Sequence, residues 1–159
     1  MLGGFISDLE AGDVFEPVRY LLTAEAISAY ATGNEEDGDW FHGDDNPWGR
    51  QVRTPTMIHS DKMRLLEANC TKEQRIAGMT GNGPELKSDA RIHYEYHAKQ
   101  HSPAFAGEEL VVSGRIADRY ERRGRSYLLY ELEVHTADGR LVTTYRDRTV
   151  LRYRKEDDR

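Results

Sequence analysis

An α+β domain, with a curved antiparallel sheet wrapped around one central helix, is what this sequence predicts. Three observations carry that expectation. Residues 57–68 hold Met57, Ile58, Met63, Leu65, Leu66 and Ala68, an apolar run long enough for a core helix. From Ala90 onward the period changes to two, and strand-like runs follow one another. Gly124 and the pair Asp138-Gly139 mark tight turns between those runs, with Asp138-Gly139 read as a two-residue hairpin. Such a sheet must bury one face, and the apolar helix is the only large partner available.

In chain order, residues 13–23 carry Val14, Phe15, Val18, Tyr20, Leu21 and Leu22 and predict a first strand, broken near its start by Pro17. Thr23 is a good N-cap for a helix whose Ile27, Tyr30 and Ala31 share one face, and Gly33-Asn34 stops it. Residues 33–55 are loop-like but contain Trp40, Phe41 and Trp48, whose large apolar area means that this loop packs on or covers something. Thr54-Pro55-Thr56 reads as the start of the central helix, with Pro55 at its first position. The helix breaks near residues 69–71, and residues 71–88 are expected to be a polar, Gly-rich loop. Ile92, Tyr94 and Tyr96 then alternate with His93, Glu95 and His97. A turn at 102–107 leads to strands over 110–120, 126–136 and 141–153, and the tail 155–159 is expected to fray. No repeat or linker divides residues 1–159, so a single domain is expected.

The chain has 159 residues and a formal charge of −6, which argues against a nucleic-acid surface. Its densest basic run, Arg122-Arg123-Gly124-Arg125, reads most simply as a solvated turn, with phosphate contact the minority reading. The single cysteine, Cys70, excludes an internal disulfide and suits a reducing compartment. No basic leader and no apolar run approaching a membrane span is seen, so a cytoplasmic location without membrane contact is the expectation.

Chemistry concentrates in Glu36-Asp37-Gly38-Asp39-Trp40-Phe41-His42. Asp37 and His42, five residues apart on a loop leaving a helix, are suited to hold one water between them, as addition of water to a C=C bond requires. The competing reading is an acidic surface loop of Glu35, Glu36, Asp37, Asp39, Asp44 and Asp45, with His42 incidental. His93 and His97 on one strand lie about 13 Å apart and cannot share a metal ion, and no metal site is expected. His59, in the apolar helix, reads as a structural residue, as does His135.

These motifs, in this order, make the chain resemble the MaoC-like (R)-hydratase/dehydratase family, in particular its N-terminal-type MaoC dehydratase domain. Residues 27–42 resemble the family's tyrosine-alanine start followed by Asp-x-Asn-Pro-x-His, with Asp39-Trp40 here in place of Asn-Pro. Asn46-Pro47-Trp48-Gly49 through Thr54-Pro55-Thr56 is similar to the Ser-Pro-Phe-Gly…Pro-Pro-Thr segment of one branch, and Pro103…Gly107-Glu108-Glu109-Leu110 to that branch's sheet. The resemblance implies a hotdog fold, assembly as a homodimer or a hotdog heteromer, and action on an enoyl- or 3-hydroxyacyl-thioester carried on CoA or a carrier protein, with no other cofactor.

It also implies Asp37 and His42 as the catalytic pair, with Asp39 the alternative acid. The backbone N–H groups of Thr56 and Met57 at the start of the central helix become the candidate donors to the thioester oxygen, since Pro55 has none. Trp40 and Phe41 would exclude water, and Trp48 would line the site. A non-catalytic acyl-binding subunit and a hotdog thioesterase are the two alternatives.

Overall fold

The computed structural model describes residues 2, 4, 6–70 and 92–151, Ile92 by its backbone alone. The expectations for residues 71–88 and for the tail lie outside the described residues. Strands β1 (Val18–Leu21), β2 (Ile92–Gln100), β3 (Glu109–Arg122), β4 (Arg125–Thr136) and β5 (Leu141–Val150) form one antiparallel sheet in the order β1-β3-β4-β5-β2. Helix α1 (Ala24–Gly33) follows β1, a short helix α2 (Asp39–His42) follows it, and α3 (Ile58–Asn69) lies on one face of the sheet.

Each element has a local cause. Thr23 caps α1 by accepting from the Ala26 N–H at 3.1 Å, as expected, and Ile27 and Ala31 are fully buried. Residues 13–23 are not one strand, and β1 is confined to four residues. Val14 makes only an isolated bridge to Arg115. Between them Pro17 offers no N–H, and Glu16 turns its own N–H to the Asn69 side chain, which donates back to the Glu16 carbonyl. The broken strand is thereby pinned to the last turn of α3.

The β3–β4 connection is a two-residue turn with positive φ at both Arg123 (52°) and Gly124 (70°), the hand that matches strand twist. The β4–β5 connection differs from the expected two-residue hairpin. Thr136 N–H bonds to the Arg140 carbonyl around a three-residue loop, with Gly139 at φ 94° taking the left-handed position that closes it.

Two further departures bear on function. The alternation expected for β2 is broken by a bulge between His93 and Glu95. His93 and Tyr96 therefore both reach the α3 side of the sheet, where they meet the His59 ring, while Tyr94 packs on Tyr127 of the outer face. Helix α3 is also less apolar inside than its composition suggests. Its inward stripe is Ile58, Asp61, Lys62, Leu65, Leu66 and Asn69, half of it polar, whereas Ala68 is exposed. Leu65 sits against Gly114 of β3, where an added Cβ would lie 2.7 Å from the Glu131 carbonyl oxygen and 3.3 Å from Leu65. Glycine at that position lets helix and sheet approach.

Candidate functional site

The loop bearing the predicted pair is tied to the start of α3 at several points. The Asn34 N–H closes on the Tyr30 and Ala31 carbonyls, and Glu35 takes φ 57° to turn the chain. Tyr30 then donates its hydroxyl to the Thr56 carbonyl at 2.9 Å, joining α1 to the turn at Pro55–Met57. Gln51 donates to the Phe41 carbonyl (2.6 Å) and the Ser28 hydroxyl (3.0 Å), and Val52 N–H bonds to the Trp40 carbonyl. The segment before α3 is held from the other side by the 102–108 turn. Arg53 N–H meets the Ala104 carbonyl, and Arg140 binds Ser102, the Pro103 carbonyl and Glu108.

Asp37 lies in the loop, but Asp39 and His42 are the two ends of the one-turn helix α2 rather than loop residues, and all three are exposed. His42 Nε2 donates to the Glu36 carbonyl at 2.9 Å; since a carbonyl only accepts, this fixes the proton on Nε2 and leaves Nδ1 as the free ring nitrogen. Among the described residues no hydrogen bond joins Asp37 to His42. Trp40 and Trp48 meet edge to face at 5.4 Å, and Trp48 meets Phe105 at 6.1 Å, so the two tryptophans form one aromatic wall with the 102–107 turn. An Asx turn holds that wall, with Trp48 N–H on the Asn46 side chain. Of the two backbone donors, Met57 gives its N–H to the Thr54 carbonyl at 3.1 Å and is buried, while Thr56 is exposed.

Sequence reasoning missed what lies beneath the start of α3. Arg53, fully buried, donates from Nη1 to Asp61 (2.8 Å) and Tyr20 (3.1 Å), and Tyr20 donates to Asp61 at 2.5 Å. Burial and then the Asp61 charge push the Tyr20 phenol well above its usual range, so it stays a donor. A second cluster joins Lys62 to Asp147, whose other oxygen meets His93 Nδ1 at 3.2 Å. Beside it, Tyr145 and His59 Nδ1 lie 3.1 Å apart. The Tyr145 phenol is likewise pushed up by burial and by Asp147, so it is the donor in this bond. The signal available in the sequence was the helical spacing of Asp61 and Lys62 with Ile58 and Leu65. Among the described residues no three His, Cys, Asp or Glu side chains converge on a metal-sized site. No described helix is long and apolar enough to cross a membrane.

His59 carries a pH consequence. Burial first, and the neighbouring His93 second, hold its imidazole below the ordinary value. The unfolded chain therefore binds more protons than the folded one, and stability rises with pH. The loss opens as pH falls through about 6.5, the unfolded value, and is complete below the folded one. Urea midpoints between pH 7 and pH 5 should show this slope, and His59→Gln should flatten it; an unchanged slope would assign it to other groups.

Residues 10–145 match the FAS1-like dehydratase domain region. The chain belongs to that family. Its fold is that of solved hotdog proteins. The (R)-hydratase from A. caviae involved in PHA biosynthesis superposes with a TM-score of 0.66 at 16% identity, over 91% of this chain and 98% of that one. The MaoC-like dehydratase from Rhodospirillum rubrum gives 0.67 at 19% identity, over 96% and 99%. The HadBC (3R-hydroxyacyl-ACP dehydratase) complex from Mycobacterium tuberculosis gives 0.69 at 15%, over 88% and 96%. No curated protein matches in sequence. The sheet order and central helix of this FAS1-like dehydratase region are thus those of the hotdog fold expected from its motifs.

Proposed function

We propose that this FAS1-like dehydratase region acts on enoyl- or 3-hydroxyacyl-thioesters as a hydratase/dehydratase, with Asp37 and His42 as its acid–base pair. The observation that carries this reading is the Tyr30–Thr56 bond, which fastens α1, from whose end the acidic loop runs, to the Pro55–Met57 turn that leads into α3. There the unpaired N–H of a helix start and its dipole favour the negative charge that develops on a thioester oxygen.

In the hydration direction Asp37 takes a proton from water as the oxygen bonds to the β-carbon. The π pair moves toward the thioester carbonyl, whose enolate-like oxygen is met by the Thr56 N–H, with Met57 N–H sharing its bond to Thr54. The α-carbon then receives the proton through His42 Nδ1, the nitrogen free to carry it. The Trp40–Trp48 wall keeps bulk water from the acyl chain. We infer a CoA or carrier-protein thioester as the substrate and a second hotdog chain, identical or not, as the partner.

A second reading, the acyl-binding subunit of a heteromer, draws support from the missing bond between Asp37 and His42. In that case a partner chain supplies the catalytic pair. One experiment separates these. The purified chain is given crotonyl-CoA and a longer trans-2-enoyl-CoA while the conjugated enoyl-thioester absorbance and free thiol are followed. Loss of absorbance without thiol is expected, and Asp37→Asn and His42→Ala should each lower kcat by about 10²–10⁴. Turnover unchanged in both variants would remove the pair from the mechanism. Thiol release would make the protein a thioesterase, and activity only after adding a second hotdog chain would favour the subunit.

A further inference from the structure

On the outer face of the sheet, away from α3, a cavity of about 310 Å³ opens at the β3–β4 turn. It is lined by Tyr94, Tyr120, Tyr127, Arg122, Arg123 and Arg125. Tyr120 and Tyr127 stack in parallel at 5.0 Å, and Tyr94 meets Tyr127 edge to face at 5.7 Å. The three arginines differ from most of the others in and beside the sheet, although among the described residues Arg19 of β1 also meets no acid. Arg115, Arg119, Arg140, Arg146 and Arg148 each meet a glutamate. Among the described residues Arg122, Arg123 and Arg125 meet none.

The arrangement is unfavourable on its own account. Arg122 and Arg125 lie directly opposite one another across the strands, a like-charge pairing that destabilises a sheet. Arg123 is held at φ 52°, a region that side-chain-bearing residues rarely adopt. Glutamates next to the cavity residues in the strands do not relieve it. Glu121 alternates to the other face, and Glu95 is committed to Arg148. Three cations lining one cavity beside the exposed Tyr94 ring, in a chain of charge −6, suit a ligand that brings both phosphate and a planar ring.

We propose that this cavity binds a phosphorylated nucleoside, its phosphates on Arg122, Arg123 and Arg125 and its base against Tyr94 and Tyr120. The volume is at the lower end of small-molecule sites, which suits one nucleotide rather than the broad acidic face of a carrier protein. The nucleotide is either free or the end group of CoA, and the site stands whether or not the loop at Asp37 is catalytic.

Calorimetric titration of the full chain tests this with adenosine 3′,5′-bisphosphate, AMP, CoA and inorganic phosphate. The bisphosphate should bind at least tenfold more tightly than inorganic phosphate, and more weakly as salt rises. The double variant Arg123→Ala/Arg125→Ala should lose at least tenfold. Tyr94→Ala, at an exposed edge position, should weaken base-bearing ligands and leave inorganic phosphate unchanged. CoA binding tighter than AMP assigns the site to the thioester carrier; equal binding assigns it to free nucleotide. Nucleotides that bind no better than inorganic phosphate, or with the same affinity to variants that melt like the parent, would overturn the proposal. So would titration by an acidic carrier protein alone.

Discussion

Asp147→Ala is expected to destabilise the protein by about 3–5 kcal/mol, on the order of 10 °C in melting temperature. Asp147 is wholly buried in β5, and its carboxylate receives Lys62, His93 and Thr149. Lys62 is itself buried, its ammonium resting over the Tyr130 ring at 4.1 Å and bonded to the Thr149 hydroxyl. Removing the carboxylate takes from a buried cation the counter-charge that Asp147 supplies, and the desolvation cost, rather than the lost attraction, sets the size of the effect. Thermal unfolding of Asp147→Ala beside Lys62→Met/Asp147→Leu checks the cause. The double variant, which removes both charges, should recover most of the stability. A single variant within 1 kcal/mol of the parent would show that the charge finds water or another partner.

Asp61→Ala should cost a similar amount, about 3–5 kcal/mol, and should also reach the candidate site. Asp61 is the carboxylate that answers Arg53, whose Nε and Nη2 are already buried without partners. Arg53 lies in the chain just ahead of the Pro55–Met57 turn, its N–H on the Ala104 carbonyl. An uncompensated guanidinium there will pull toward water and carry the start of α3 with it. Asp61→Asn keeps an acceptor for the Tyr20 hydroxyl and should cost less. Urea unfolding read beside enoyl-thioester turnover tests this: loss of stability with turnover intact would uncouple Arg53 from the site.

Much of this molecule was legible in the sequence because its cues are local. The Thr23 cap and the Arg123-Gly124 turn each depend on residues within one turn of chain, as does the Pro55–Met57 turn, although the central helix itself begins only at Ile58. The order of helices and strands followed, and with it the hotdog fold. What could not be read depends on partners distant in sequence. Nothing near Lys62 announces Asp147, 85 positions away, and nothing near Arg53 announces Tyr20. The bulge in β2 is a pairing decision made against β5, so the alternation of its tyrosines misled about which face each one meets. At the candidate site the spacing placed Asp37 and His42 on one loop leaving the first helix, but their mutual geometry depends on the Glu36 carbonyl that claims the His42 ring.

The strand order has a consequence for how the chain is made. Helix α3 ends at Asn69, yet the sheet that covers its inward face is built mainly from β3, β4 and β5, the last of which ends at Val150. At a translation rate of about 5–20 residues per second, roughly 4–16 s separate the emergence of those two residues. Through that interval Ile58, Leu65 and Leu66, and the charges of Asp61 and Lys62 beside them, face water or whatever else binds them. The polar half of that stripe keeps the nascent helix from being a uniformly sticky surface while it waits for the sheet.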